Sequence, residues 1–290
     1  MDKIALSAEN LTKIYSKNNT SIKSVLALNK LNLEVKRGEI FGLLGPNGAG
    51  KTTFINILGG TVMKTSGKVQ LWGFDLDTNP RQIRASIGIV PQEINLDAFF
   101  SPKKLLELQA GLYGVKKEDR ITDVILKMVA LDKQANSYAR SLSGGMKRRL
   151  LIAKAMVHQP PILVLDEPTA GVDVELRKDM WNIIKELKNQ GSTIILTTHY
   201  IEEAEEIADR IGIINKGELI LIEDKDELMK RMGQKEMSIN LINSTNKIPS
   251  NLSKYNLKLS NDRKKLKFFY DTQLSNNQII NLLNKLKKSK

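Results

Sequence analysis

The stretch GPNGAGKTT, residues Gly45 to Thr53, decides the fold of this chain. It matches the pattern G-x-x-x-x-G-K-[ST], a glycine-rich loop whose backbone N–H groups surround phosphate groups. The apolar run Ile40 to Leu44 before it predicts a buried strand, and a helix is expected to begin near Lys51. Because the positive end of that helix points at the loop, we expect the loop to bind a nucleoside triphosphate.

The residues of this loop have separable predicted roles. Lys51 is expected to reach the β- and γ-phosphates, and the hydroxyl of Thr52 is expected to hold Mg²⁺. Glycines allow the backbone to approach the anion closely. The residues expected to contact the nucleotide are Gly45, Pro46, Asn47, Gly48, Ala49, Gly50, Lys51, Thr52 and Thr53.

A second motif, ILVLDEPTAGVD, spans Ile162 to Asp173. Its apolar run Ile162 to Leu165 predicts a central strand that ends in two carboxylates, at the edge where α/β sheets bind ligands. We expect Asp166 to hold Mg²⁺, directly or through water, and Glu167 to polarise the attacking water as general base.

The chain contains two histidines, and the sequence predicts different roles for them. His158 follows the helical stretch Met146 to Val157 and is interpreted as structural. His199 follows a second apolar strand, Thr193 to Leu196, through two threonines. Its position fits a side chain directed at the γ-phosphate.

Together with LSGGM at Leu142 to Met146, these motifs resemble the nucleotide-binding subunit of an ABC transporter over about residues 3 to 230. LSGGM is similar to the signature of that family, and Gln92 to the glutamine of its Q-loop. Ala170 to Asp173 is similar to its D-loop, and His199 to its switch histidine. The resemblance implies a P-loop α/β ATPase with an antiparallel β subdomain and an inserted helical subdomain, with ATP and Mg²⁺ as cofactors.

The resemblance also assigns site residues. The catalytic set it implies is Glu167, His199 and Gln92, and the metal set is Thr52, Gln92 and Asp166. Tyr15 lies where the family carries an aromatic residue that stacks on adenine; the alternative is an ordinary half-buried strand residue.

A head-to-tail homodimer that assembles with ATP is implied as well. In it Ser143, Gly144 and Gly145 of one subunit close over the ATP held by Lys51 of the other. Met146 departs from the glutamine of many family members, and we expect altered tuning of the signature without loss of activity.

The motifs most resemble the exporter-type branch, whose membrane permease is a separate polypeptide. This resemblance implies an ATPase subunit that energises export and lies peripherally on the cytoplasmic face of the inner membrane of a bacterium. The alternative is a soluble ABC-type ATPase that serves an assembly or repair process.

Composition limits the other functions. The 290 residues contain no cysteine, which excludes disulfides and cysteine-ligated zinc or iron–sulfur sites. No apolar run approaches the roughly 18 to 20 residues that span a bilayer, and the start of the chain lacks the apolar core of a signal peptide. We therefore expect a separate membrane protein to form the transport pathway.

Periodicity predicts the remaining elements of the ATP-binding domain, residues 3–230. Ile4 to Tyr15 and Val25 to Val35 alternate like antiparallel strands, joined by a polar turn at Lys17 to Thr20. Pro102 to Leu112 and Ile121 to Leu131 carry apolar residues at helical spacing, which predicts a helical subdomain over about residues 93–158. Phe99 and Phe100, just before these helices, are either core residues or an exposed docking patch.

The last 60 residues, 231–290, are expected to form a small basic domain of βββα type. They contain thirteen Lys and Arg against three Asp and Glu, so ten of the thirteen net positive charges lie there. Glu236 to Ile242 and Lys265 to Phe269 alternate like strands, and Leu274 to Leu286 is amphipathic like a helix. The basic surface is either an ordinary solvated one or a binding surface for anionic lipid, an acidic partner or nucleic acid. No aromatic-interleaved motif supports nucleic acid, and none is expected as a partner.

Overall fold

The protein is described by a computed structural model that covers residues 4–16, 24–232, 234–241, 245, 247–248, 252, 255, 257–260, 263–271 and 276–287. The chain divides into two compact units, Met1–Lys225 and Asp226–Lys290. The predicted turn at Lys17 to Thr20 lies outside the described residues.

The described residues of both units form the following strands and helices. The strands are β1 (Ile4–Tyr15), β2 (Val25–Lys36), β3 (Ile40–Leu44), β4 (Ser66–Leu71), β5 (Phe74–Asp75), β6 (Ile87–Val90), β7 (Ile162–Asp166), β8 (Thr193–Thr198), β9 (Arg210–Asn215), β10 (Glu218–Asp224), β11 (Gln234–Asn240), β12 (Leu257–Leu259) and β13 (Lys265–Asp271). The α-helices are α1 (Lys51–Leu58), α2 (Pro80–Ser86), α3 (Pro102–Leu112), α4 (Thr122–Met128), α5 (Gly144–Met156), α6 (Val174–Asn189), α7 (Ile201–Ile207), α8 (Lys225–Met232) and α9 (Asn276–Lys287). Short 3₁₀ helices cover Lys117–Asp119, Asp132–Gln134 and Ala139–Ser141.

The first unit contains two sheets. One is antiparallel, in the order β2-β1-β4-β5. The other has the order β10-β9-β3-β8-β7-β6, parallel except for its edge strand β10. This arrangement confirms the predicted class, a P-loop α/β fold with an antiparallel β subdomain. The parallel strands β3, β8, β7 and β6 are neighbours, so the loops that follow them emerge at one edge of the sheet.

The central strand β7 shows why this sheet is buried on both faces. Its side chains alternate between two hydrophobic clusters: Leu163 and Leu165 pack with helices α3 to α6, whereas Ile162 and Val164 pack with the antiparallel sheet and α1. A strand covered on both sides reads as a continuous apolar run. The two acids that follow this run are therefore placed at the end of a well-packed strand.

The inserted helices lie close to their predicted bounds. Helix α3 coincides with the prediction, and the hydroxyl of Ser101 caps it by accepting a hydrogen bond from the backbone N of Lys104 at 3.3 Å. Helix α4 is shorter than the predicted Ile121 to Leu131. It stops because Ala130 adopts a left-handed conformation with φ of 52°. The backbone N of Leu131 then bonds back to Leu126, as in a Schellman cap.

The second unit holds a separate antiparallel sheet in the order β11-β13-β12, followed by α9. Buried Leu252, Phe268 and Leu282 form its core. The strand predicted over Glu236 to Ile242 is observed two residues earlier, and Ile242 itself lies outside the described residues. The helix predicted from Leu274 is observed from Asn276 onwards. Strands and helix follow one another in the predicted βββα order.

Among the described segments, no helix has both the length and the apolar character needed to cross a membrane.

Candidate active site

The glycine-rich loop turns tightly between β3 and α1. Gly50 precedes the helix with φ of 110°, a conformation that side chains with a Cβ rarely adopt. Gly45 lies against β9, where an added Cβ would approach the carbonyl oxygen of Ile214 to 2.3 Å. These two positions require glycine for backbone reasons, which is what a loop wrapped around an anion needs.

Lys51, the first residue of α1, is buried and directed back into its own loop. Its Nζ donates to the carbonyl oxygens of Gly45 at 2.7 Å and Pro46 at 3.3 Å. It also lies 3.4 Å from Oε1 of Glu167. The ammonium group is thus held beside the loop where phosphates are expected.

Glu167 is held in an unusual backbone conformation directly after β7. Its φ is 48°, and its backbone N donates to the carbonyl and the hydroxyl of Thr197 at 3.1 and 3.2 Å. The same hydroxyl donates to Oδ1 of Asp166 at 2.5 Å. A left-handed non-glycine residue is costly and persists only where its surroundings fix it. Thr197 provides that constraint and so aims the two carboxylates in different directions.

Two further predicted residues converge on Glu167. The amide Nε2 of Gln92, after β6, donates to its Oε2 at 3.3 Å. Nδ1 of His199, after β8, lies 3.2 Å from the same oxygen. The structure therefore brings the predicted catalytic set together at one carboxylate. All three residues follow neighbouring parallel strands, which explains how segments so distant in sequence meet.

The three predicted metal ligands also lie together. Thr52, Gln92 and Asp166 line one depression of about 280 Å³. The Thr52 hydroxyl hydrogen-bonds to the Asp166 carboxyl, and burial raises the pKa of that carboxyl above its usual value. Hydroxyl, amide and carboxylate oxygens are hard donors of the kind that Mg²⁺ prefers, so the residues present fit this ion.

A neighbouring cleft of about 370 Å³ joins the loop to Gln92 and Glu167. It is lined by Val25, Leu26, Ala27, Asn47, Gly48, Ala49, Gly50, Lys51, Thr52, Thr53, Gln92 and Glu167. Tyr15 pairs with the cleft residue Val25 across β1 and β2. Tyr15 is 40% exposed, and Nζ of Lys13 lies 4.7 Å from its ring centroid. Stacking of Tyr15 on adenine stays a prediction.

The signature residues lie outside this cleft. The hydroxyl of Ser143 caps α5 by accepting from the backbone N of Met146 at 3.3 Å, and Ser143 and Gly144 are exposed. Gly145 is buried. The side chain of Met146 packs against the hydrophobic cluster of the inserted helices. That packing is a physical reason for an apolar residue at the end of this signature.

Three contributors to the site escaped the sequence interpretation. Thr197 is one. Buried Glu203 is another: it accepts from the hydroxyl of Thr169 at 2.8 Å, and burial raises its pKa. The third is Arg148, buried among backbone carbonyls. Only its place in a run of basic residues on a helix was visible in the sequence, and such residues are usually solvated.

Comparison with known proteins identifies the family. A family model described as ABC transporter matches residues 28–170. The linearmycin resistance ATP-binding protein LnrL of Bacillus subtilis (strain 168) is 40% identical over 231 residues, 79% of this chain and 72% of LnrL. The chain belongs to the ABC transporter family. As an ABC-type ATPase it binds and hydrolyses ATP.

A second relative extends this family assignment. The Nod factor export ATP-binding protein I of Cupriavidus pinatubonensis (strain JMP 134) is 40% identical over 197 residues. The match spans 67% of this ABC ATPase and 61% of that relative.

Solved ABC cassettes share the fold. The ATP-binding cassette MJ0796, in a dimeric post-hydrolysis state bound to ADP and Pi, has a TM-score of 0.66 and 29% identity, over 76% of this chain and 98% of that one. The cbiO1 protein of Clostridium perfringens, part of the ABC transporter complex cbiONQ, has a TM-score of 0.69 and 28% identity, over 80% of this chain and 92% of that one.

Proposed function

We propose that this ABC ATPase energises the export of a substrate through a separate membrane permease. One observation supports the ATPase part of the proposal. Beside a phosphate-binding loop, side-chain nitrogens of Gln92, His199 and Lys51 lie 3.2 to 3.4 Å from the carboxylate oxygens of Glu167. The export part rests on relatives whose names state Nod factor export and linearmycin resistance. Residues 3–230 are proposed as the ATP-binding domain and 231–290 as an accessory domain.

In the proposed hydrolysis, Glu167 takes a proton from the attacking water as general base. Gln92 donates a hydrogen bond to the Glu167 carboxylate, and the His199 ring lies close to it. Both residues orient this carboxylate and the attacking water. Lys51 exchanges its contacts with the loop carbonyls for the β- and γ-phosphates, since a charge-assisted bond to phosphate is stronger than one to a neutral carbonyl.

Mg²⁺ is the proposed metal, held by Thr52, Gln92 and Asp166. When bound, the ion neutralises charge on the β- and γ-phosphate oxygens. Asp166 binds it in the ionised form. Because burial raises the pKa of Asp166, protons compete for this carboxylate at a higher pH than they do for an exposed aspartate.

A head-to-tail homodimer completes the site. Ser143 and Gly144 are exposed at the start of α5 but do not line the cleft of their own chain, so the signature is available to a second chain. Two backbone N–H groups and a hydroxyl at a helix N-terminus suit the γ-phosphate. The dimeric structure of the MJ0796 cassette supports this arrangement.

The inserted helices are the proposed docking surface for the permease. Phe99 is 72% exposed and Phe100 37%, which favours the docking interpretation over core packing. Leu112, at the end of α3, is 83% exposed. Exposed apolar side chains of this size are typical of interaction sites.

The proposed place of the protein is peripheral, on the cytoplasmic face of a bacterial inner membrane, with the basic second unit facing anionic lipid. Leu266 and Phe268 of β13 are buried in that unit, so Lys265 and Lys267, which alternate with them along the strand, point to the opposite face of the sheet. Lys258 of β12 pairs directly with Lys267. A sheet face that carries several lysines attracts the negative charge of anionic headgroups.

Affinity purification of the tagged chain from detergent-solubilised membranes tests the transporter assignment. We expect a polytopic membrane protein to co-purify, and Phe99→Ser to weaken its recovery. Purification of the ATPase from the soluble fraction alone, with no membrane protein bound under mild detergent, would contradict it and support the soluble assembly or repair function instead.

A further inference from the structure

Arg148 is a buried cation whose hydrogen-bond partners are backbone carbonyls. Its Nη1 donates to the carbonyl of Gln92 and, at 3.5 Å, to that of Pro91, and its Nη2 donates to the carbonyl of Ala170 at 3.2 Å. The residue is 7% exposed. Among the described residues no carboxylate forms an ion pair with it. Burial accordingly lowers the pKa of Arg148, and the charge of Glu167 opposes that shift.

Its three partners belong to the two segments that flank the general base. Gln92 donates its own side-chain amide to Glu167. Ala170 donates its backbone N to the carbonyl of Glu167 at 3.1 Å. Arg148 itself belongs to α5, the helix that begins with the signature. One guanidinium group therefore links the signature helix to the loops on both sides of Glu167.

We propose that Arg148 is a positioning residue that couples the signature helix to the orientation of Gln92 and Glu167. Any shift of α5 that brings Ser143 to the ATP of a second chain then moves the Gln92 backbone and the Ala170 segment with it. This inference rests on the proposed roles of Gln92 and Glu167 in hydrolysis. It deepens that proposal by naming the residue that links the signature of one chain to Gln92 and Glu167 of the same chain.

The planar fork of arginine is needed for this link. Five N–H donors in fixed directions reach carbonyls on two loops at once, whereas the single ammonium of lysine reaches one of them. Arg148→Lys keeps the charge and most of the packing volume but breaks the bridge. The variant therefore distinguishes a role in bridging the two loops from a role that needs only a positive charge and a side chain of this volume.

The neighbouring residue supplies a matched control. Arg149 lies on the same helix and is half-buried, and its Nη1 also donates to backbone carbonyls, those of Val129 at 3.4 Å and Ala130 at 3.3 Å. Both carbonyls follow α4 within the inserted helices. Arg149→Lys thus makes the same chemical change beside a segment that does not touch Glu167.

The experiment measures steady-state ATP hydrolysis and the Kd of a fluorescent ATP analogue for the full-length wild type, Arg148→Lys and Arg149→Lys. Activity is normalised to the fraction of chain that binds nucleotide, so that the kcat of the folded fraction is obtained even for a partly folded variant. We expect Arg148→Lys to lower kcat by about tenfold or more, the value of one lost charge-assisted hydrogen bond. Its Kd should stay within about twofold, because the phosphate loop is untouched. Arg149→Lys should leave both within about twofold.

Coupling to Gln92 is tested by the double variant. In the Gln92→Ala background, Arg148→Lys should lower kcat by less than about threefold, since residues that act through one another are not additive. An unchanged kcat for Arg148→Lys, an equal loss for Arg149→Lys, or a full additional loss in the Gln92→Ala background would each overturn the proposal. Absence of ATP hydrolysis by the wild type would instead refute the proposed function of the site.

Discussion

Replacing Glu167 by glutamine removes the proposed general base while preserving the shape of its side chain. Glu167 is 6% exposed and accepts contacts from Gln92, His199 and Lys51. The amide retains one acceptor oxygen for these donors but takes up no proton at neutral pH. The fold and the cleft should therefore persist in the variant.

The expected loss lies in kcat. Positioned general bases contribute roughly 10²- to 10⁴-fold, which corresponds to about 2.7 to 5.5 kcal/mol of transition-state stabilisation. Binding of ATP should be no weaker than in the wild type. Lys51 lies 3.4 Å from the Glu167 carboxylate, so neutralising that carboxylate releases the ammonium for phosphate.

The assay pairs phosphate release under saturating ATP with equilibrium binding of a fluorescent ATP analogue. Glu39→Gln is a suitable control, because Glu39 is also buried and pairs with Arg210 at 3.0 Å, away from the cleft. We expect it to retain activity in its folded fraction. Hydrolysis by Glu167→Gln within about twofold of the wild type would refute the assignment of Glu167 as base.

Three further outcomes are expected. Lys51→Ala should nearly abolish ATP binding, raising the Kd by about a hundredfold or more through loss of charge-assisted phosphate contacts; a Kd within about threefold of the wild type would contradict its role. Burial lowers the pKa of His158, so the unfolded chain binds this proton more readily and stability should fall as the pH drops below about 6.5. The ring of His158 stacks on that of Tyr113 with centroids 3.7 Å apart, and His158→Phe keeps an aromatic ring there. Between about pH 7.5 and about pH 5.5 this variant should lose less free energy of unfolding, measured with urea, than the wild type; an identical loss would exclude His158 as the cause. Deleting residues 231–290 should leave ATP binding intact but weaken flotation with anionic vesicles at low salt, by about 1 kcal/mol per nearby lysine; equal flotation of both chains would reject the lipid contact.

The sequence predicted the elements whose signals are local. The apolar run Ile162 to Leu165 followed by two acids required only strand periodicity, and Pro102 to Leu112 required only helical spacing. The end of α4 was missed because it depends on the backbone conformation of Ala130, a residue type that normally continues a helix.

The long-range parts of the site were less accessible. The meeting of Gln92, Glu167 and His199 follows from the strand order β8-β7-β6, and the family resemblance, not the spacing, indicated it in advance. The bridge made by Arg148 had no distinguishing sequence signal, since Arg149 beside it has the same chemistry. Which of two adjacent arginines is buried against the loops depends on the rotation of α5, and only the structure shows it.

Sedimentation velocity of the Glu167→Gln chain tests the split site most directly. Without nucleotide we expect one chain of 32.6 kDa. With saturating ATP we expect a species of twice that mass, because in the proposed dimer ATP contacts Lys51 of one chain and Ser143 of the other. Adding Ser143→Arg should abolish the dimer while ATP still binds. The same mass with and without bound ATP, or an ATP-dependent dimer that survives Ser143→Arg, would contradict a site completed by the signature of a second chain.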